Sequence, residues 1–221
     1  MAASTRWTAR ALFDALDARG ATRAEQEAFD ADVWSRLGVE GTILVTDLSG
    51  FTRTTRTRGI LHFLTIFRRS EVVADPVVAA HGGHVLKHEA DDLIVEFRSP
   101  RRAIEAAIEL QRRFRALNAT LAGDERVGLC VGIEHGRYLG LADDAFGDPV
   151  NVAYKLGEDV AEVGEILVGD AALAAARAEG LTLDADVVLD GPRRRALGGV
   201  EILHHSLRLA PGPRDDDGGT R

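Results

Sequence analysis

Apolar positions along the chain recur at two periods, and the switches between them mark the elements. Leu12, Phe13 and Leu16 fall at helical spacing before Gly20, which can stop a helix. Thr22-Arg23-Ala24-Glu25 has capping-box spacing, and Phe29, Val33 and Leu37 then repeat every four residues up to Gly38. This predicts a helical hairpin whose apolar stripe must bury itself against the rest of the molecule or a second copy. From about Gly41 the period changes: residues 42–47 read as a buried strand. From Gly50 it turns helical again, with Ile60, Leu61, Leu64, Phe67 and Val72 expected on one side of a long helix ending near Gly82-Gly83. Residues 84–97 read as a β-hairpin around a polar turn, Glu89-Ala90-Asp91-Asp92. Ser99-Pro100 is a helix start, and Ile104, Ala107, Ile108, Leu110 and Phe114 follow at helical spacing.

Further on, Val127 to Ile133 predicts a strand, and Arg137 to Leu141 is expected to pair back with it through a tight turn at His135-Gly136. Val150 to Leu156 reads as helix and Ile166 to Val168 as strand. Asp170 is expected to cap an alanine-rich helix, and 187–189 and 200–209 supply late strands. The sum is an α+β fold, with helices against a mainly antiparallel sheet. The expected organisation is a helical extension over 1–40, a main domain over 41–209, and a disordered Pro-, Gly- and Asp-rich tail over 210–221.

Composition narrows the function classes. The chain has 221 residues, 45% hydrophobic and 28% charged, which is enough for a real core. Its formal charge of −8 argues against a nucleic-acid coat or a binder of anionic membranes, while leaving room for a phosphate ligand held by a few local cations. One cysteine, Cys130, rules out an internal disulfide and a multi-cysteine zinc site. No run of 18 apolar residues occurs, and the first ten residues lack a secretory apolar core, so no membrane span and a cytoplasmic location are expected. There is no Gly-x-x-x-x-Gly-Lys phosphate loop and no Gly-x-Ser-x-Gly elbow to accompany His81-Gly-Gly-His84.

The chemistry-bearing residues are carboxylates. Asp47 ends an apolar strand just before a glycine turn and a helix start, whose free N–H groups suit an anion. Asp91 and Asp92 stand at the hairpin tip. Brought together, such oxygens suit hard cations such as Mg²⁺ or Mn²⁺. Taken alone, an aspartate at a strand end is more often a turn or cap residue.

Five stretches, TILVTDLSGFT at 42–52, HGGHVLKHEADDLIVEF at 81–97, VGIEHG at 131–136, DAFGDPVNVAYKL at 144–156 and GEILV at 164–168, resemble in order and spacing the successive motifs of class III nucleotide cyclases, the adenylate and guanylate cyclase catalytic domains. The resemblance covers roughly 41–209 and implies a ferredoxin-like core. It implies two divalent metal ions, Mg²⁺ or Mn²⁺, on Asp47, Asp91 and the backbone carbonyl of Leu48. It implies substrate contacts at Phe51 and Thr52, base readers at Lys87 and Asp144, and catalytic roles for Asn151 and Lys155. It further implies ATP as substrate, cyclised to 3′,5′-cyclic AMP and pyrophosphate, and a homodimer with its sites at the interface. Base chemistry agrees with ATP. A lysine donates to the acceptor N1 of adenine and an aspartate accepts from its N6 amino group, whereas guanine presents the reverse pattern. A buried mismatch costs on the order of 1–3 kcal/mol per unsatisfied group.

Two positions depart from the family pattern. Ala90 stands where a glycine usually precedes the second metal aspartate, and alanine is strained there by roughly 1 kcal/mol if that residue needs positive φ. Lys155 replaces an arginine, keeping the charge and losing the planar fork. Arg193-Arg194-Arg195 lies where the family places a phosphate-binding cation, but the stretch does not select one of the three, and a solvated basic turn is an equal reading. His204 and His205 cannot face the same side of a strand, and His135 is expected in a turn. Cys130 reads as core, and Trp7 and Trp34 as packing residues.

Overall fold

The computed structural model describes residues 6–121 and 125–211. Most of the tail expected to be disordered lies outside the described residues. A seven-strand path crosses the molecule in the order β2(His84–Glu89), β3(Asp92–Phe97), β1(Gly38–Ser49), β4(Gly128–Gly140), β6(Glu165–Gly169), β8(Val200–Leu209), β7(Val187–Leu197), with the two-residue β5(Ala145–Phe146) paired to β4. Every pairing is antiparallel except β4 with β6. The fold is therefore α+β with a mainly antiparallel sheet flanked by helices.

Alternation along β1 divides its side chains between two layers. Leu44 and Leu48 enter the larger core, beneath α4(Ile60–Ala80), α5(Pro100–Asn118) and α7(Asp170–Ala178). Ile43 and Val45 face the opposite side, with Ile94, Tyr138, Val150 and Ala153. That second side is covered by α6(Asp148–Tyr154) and a π-helical turn over Lys155–Val160. The cover sits very close to the strands. A Cβ on Gly132 would lie 2.1 Å from the Ala153 carbonyl oxygen, and one on Gly157 would lie 3.2 Å from that of Val45. Two glycines thus set the height of α6 and its π turn above the sheet.

The amino-terminal helices are α1(Ala9–Leu16) and α2(Arg23–Leu37). Thr22 and Glu25 form the predicted capping box at the start of α2. The stripe Leu12, Val33 and Leu37 buries itself on Leu141 of the same chain, and Arg137 stacks 4.7 Å over the Trp34 ring. Ser99 caps α5 with Pro100 in its first turn, and the predicted stripe of that helix is buried.

Several expectations need correction. The first strand starts at Gly38, since residues 38–41 already pair with β4. Gly59 divides the expected long helix into α3(Phe51–Arg58) and α4. The buried side of α4 is Phe63, Ile66, Ser70, Ala74 and Val77, while Leu61 is 77% exposed and Val72 58%. Small residues occupy that stripe where the helix packs closely, and Ser70 Oγ satisfies itself on the Ile66 carbonyl at 3.1 Å, so a hydrophobic tally selects the wrong side. The tight turn at His135-Gly136 does not form. β4 runs straight through it because β1 supplies a partner along its whole length, and His135 Nδ1 lies 2.9 Å from Thr42 Oγ1. Asp170 is the first residue of α7 rather than its cap, and its Oδ1 accepts a hydrogen bond from His205 Nε2 at 2.9 Å.

Candidate active site

Strand register assembles the acidic cluster. Thr46 of β1 pairs with Leu93 of β3, so one residue further along Asp47 comes beside Asp92. Asp91 follows from the turn, and the carboxylates of Asp47, Asp91 and Asp92 offer oxygens within 4.8 Å of one another. A fourth acid that the sequence reading missed, Glu158, reaches the cluster from the π turn and meets Asp92. Its signal was weak because it depends on how closely α6 lies on the sheet.

The electrostatics follow from crowding. Burial, then Asp91 and Glu158, push Asp47 up to about 6. Burial, then Glu158, Asp91 and Asp47, push Asp92 up to about 8. Asp91 and Glu158 are also raised, chiefly through loss of water contact. Four carboxyl groups resisting ionisation at one place form a hard-oxygen donor set whose mutual repulsion a divalent cation would remove. The residues therefore fit Mg²⁺ or Mn²⁺. Ala90, at φ 53°, makes the turn into Asp91 in the left-handed region, a conformation that favours glycine.

A β-bulge places the second constellation. Val85 pairs with Val95 but Lys87 pairs with Ile94, leaving Leu86 extra. Leu86 and Lys87 consequently share the side of the sheet that carries Ile94 and α6. There Lys87 Nζ donates to Asp144 Oδ2 at 3.1 Å and also pairs with Glu89 at 2.8 Å. Burial alone would lower the Lys87 ammonium, yet Glu89 and Asp144 outweigh it and hold it above its usual range. Tyr154 borders the same group. Its phenol is pushed up to about 12 by burial, with Lys87 opposing and Glu89, Asp144 and Asp92 reinforcing.

The remaining predicted residues are placed as follows. Leu48 turns its side chain into the core, leaving only its backbone for a ligand role. Phe51 and Thr52 begin α3, but their side chains lie outside the described residues. Asn151 is exposed on α6, and the Lys155 N–H donates to its carbonyl, so the two lie one turn apart on one side of the helix. Among the described residues no hydrogen bond or ion pair joins Asn151 or Lys155 to Asp47 or Asp91. Arg193 pairs with Asp190 and Arg194 with Glu201 at 2.7 Å, both on β7 and away from the acidic cluster. Cys130 is buried as expected.

No protein-family model matches the chain. A protein of Rhizobium meliloti named "Putative adenylate cyclase 3" is 36% identical over 129 residues, 58% of this chain. The chain spans less than half the length of the curated relatives it matches, and 22% of that one. Among solved structures, guanylyl cyclase Cya2 superposes with a TM-score of 0.67 at 21% identity, covering 80% of this chain and 96% of the other. The adenylyl cyclase CyaB from P. aeruginosa gives 0.63 at 17% identity, covering 80% and 98%. The fold of this chain is that of a class III nucleotide cyclase catalytic domain.

Proposed function

We propose that the chain is an adenylate cyclase, converting ATP to 3′,5′-cyclic AMP and pyrophosphate. The observation that carries this reading is the pairing of Lys87 with Asp144 at 3.1 Å on the side of the sheet that also bears Asp47. That pair offers one donor and one acceptor, the complement of the N1 and N6 edge of adenine and a mismatch to guanine. The names of the similar proteins include both adenylate and guanylate cyclases, so the choice of base rests on this pair.

In the reaction, the ribose 3′-oxygen forms a bond to the α-phosphorus, the bond to the bridging oxygen breaks, pyrophosphate leaves, and the 3′-hydroxyl proton is lost. Asp47 and Asp91, with the Leu48 carbonyl, would hold two divalent cations, with Asp92 and Glu158 beside them. Bound there, Mg²⁺ or Mn²⁺ supplies acidification of the attacking hydroxyl and positive charge for the triphosphate. Asn151 orients the ribose. Lys155 answers the negative charge that grows on the α-phosphate and the bridging oxygen. Among the described residues no hydrogen bond or ion pair joins Asn151 or Lys155 to the metal carboxylates of their own chain, an arrangement compatible with a site completed by a second copy. All six roles are present on one chain, so a two-fold homodimer would hold two equivalent sites.

Mass analysis of products tests the reading. Purified protein is incubated with Mg²⁺ or Mn²⁺ and each of four nucleoside triphosphates, and cyclic AMP is expected to dominate. A faster reaction with another base would overturn the ATP assignment. The absence of every cyclic product would point to a catalytically silent nucleotide-binding domain.

A further inference from the structure

The loop that carries Asp144 is tied down from outside by the amino-terminal arm. Within the loop, the Leu141 N–H donates to the Asp144 carbonyl at 2.9 Å, and the Ala145 N–H to Asp144 Oδ1 at 2.8 Å. The arm adds contacts of its own. The Ala142 N–H donates to the Trp7 carbonyl at 2.8 Å, and the Ala9 N–H donates to Asp143 Oδ1 at 2.7 Å. Ala9 is the first residue of α1, so that N–H has no acceptor within its helix, and the carboxylate also meets the positive end of the helix dipole. Leu12 packs on Leu141 in one buried cluster, and the Phe13 and Phe146 rings lie 5.7 Å apart. Asp143 therefore faces the arm while its neighbour Asp144 faces Lys87.

We propose that Asp143 is a positioning residue for nucleobase selectivity: clamped by Ala9 and backed by Trp7, it fixes the peptide that aims the Asp144 carboxylate at the base-binding position beside Lys87. The inference rests on the reading of Lys87 and Asp144 as the base-binding pair. Without the Asp143–Ala9 contact, the 141–145 loop would keep its internal hydrogen bonds and its Ala142–Trp7 tie but gain freedom to turn about Asp143. Lys87 then still has Glu89, 2.8 Å away, as a competing partner. The triphosphate would be held elsewhere, so the loss falls on the distinction between adenine and guanine and not on nucleotide binding as such.

The test compares binding of 3′-deoxy-ATP and 3′-deoxy-GTP, which lack the attacking hydroxyl, by calorimetry with Mg²⁺ on the full chain. Asp143→Ala should lower the ratio of affinities for the two by about tenfold, the loss of one hydrogen-bonded constraint. Asp143→Asn keeps an acceptor for the Ala9 N–H and should retain most of the preference. Ala9→Pro cuts the same bond from the other side. Proline suits the first position of a helix, and Thr8 already has the extended backbone, φ −81° and ψ 163°, that a following proline requires. It should reproduce the Asp143→Ala shift, and the double variant should lose no more than either alone. A folded Asp143→Ala or Ala9→Pro protein with the parent's ratio would overturn the positioning role alone. A parent protein without preference for the adenine nucleotide would overturn the base-pair reading and this inference with it.

Discussion

Asp47 shows how much a single side chain gains from its surroundings. An ordinary strand-end carboxylate is a turn or cap residue, but this one is half-buried and pushed up to about 6 by burial, Asp91 and Glu158. Asp47→Asn keeps the volume and removes the charge, so cyclase activity should vanish while the thermal midpoint holds or rises. Asp91→Ala should be equally inactive. An unchanged metal requirement with near-parental turnover in either variant would remove that residue from the metal site. Lys155 is the second case. It opens the π turn, and its ammonium lies near Gly198 of the β7–β8 turn, where an added Cβ would come within 3.5 Å of Nζ. A charge that strengthens its contact in the transition state contributes to turnover more than to binding. Lys155→Ala should therefore lower turnover by about 10²–10³ with little change in the Michaelis constant, and Lys155→Arg should be tolerated or faster. Turnover within about twofold of the parent would take Lys155 out of the mechanism, since that is under ~0.5 kcal/mol of barrier.

At the scale of elements, the decisive fit is that of α6 and its π turn against β1 and β4. Gly132 permits it: the Cβ of an alanine would lie 2.1 Å from the Ala153 carbonyl oxygen and 2.4 Å from the Gly157 nitrogen, both backbone atoms that cannot rotate away. Gly132→Ala should cost about 3 kcal/mol, the upper end of overpacking, and should depress activity beyond its effect on stability by lifting Asn151, Lys155 and Glu158 together. Denaturant titration beside kinetics on the folded fraction checks both parts. The same strand carries Glu134 to the start of α7, where it accepts from the His135 N–H at 2.8 Å and the Ala172 N–H at 3.3 Å. Burial nevertheless pushes its carboxyl up to about 7. A carboxyl raised on folding binds its proton more tightly in the native state. Its stability contribution is complete below its unfolded value of about 4.5 and is lost as pH rises through about 7. The slope in that window is at most about 1.4 kcal/mol per pH unit. Glu134→Gln should flatten the fall in thermal midpoint between about pH 5 and about pH 8, and an unflattened profile would assign the fall to other groups.

The whole molecule raises the question of how many chains make one site. Asp47 stands on β1 and Asn151 on α6, with no direct link between them among the described residues. If each site takes its metal carboxylates from one copy and Asn151 from another, Asp47→Asn and Asn151→Ala should each be inactive alone. Mixed, with subunit exchange shown independently, they should recover activity, because one of the two sites in a mixed dimer carries no lesion. No recovery despite proven exchange would place the site within a single chain. Activity of the parent should likewise fall on dilution below the dimer dissociation constant. Among the described residues no helix is long and apolar enough to cross a membrane.

Local physics made much of this legible in advance. The capping box at Thr22, the Ser99-Pro100 helix start, the hairpin over 84–97 and the carboxylates at its tip depend on neighbours within a few residues, and the structure has them where the spacing put them. Whether Ala90 needed positive φ was left as a condition by the sequence, and only the folded turn, with φ 53°, answers it. The buried side of α4, the unbroken run of β4, the bulge that turns Lys87 toward Asp144 and the arrival of Glu158 beside Asp92 were not legible. Each is decided by something far away in sequence: a helix close enough to bury Ser70 and Ala74, a long β1 to pair past Gly136, a register against β3, and two glycines that let a π turn settle on the sheet. Hydrophobic periodicity records what one segment prefers alone, whereas packing distance and strand register are settled only when the segments meet.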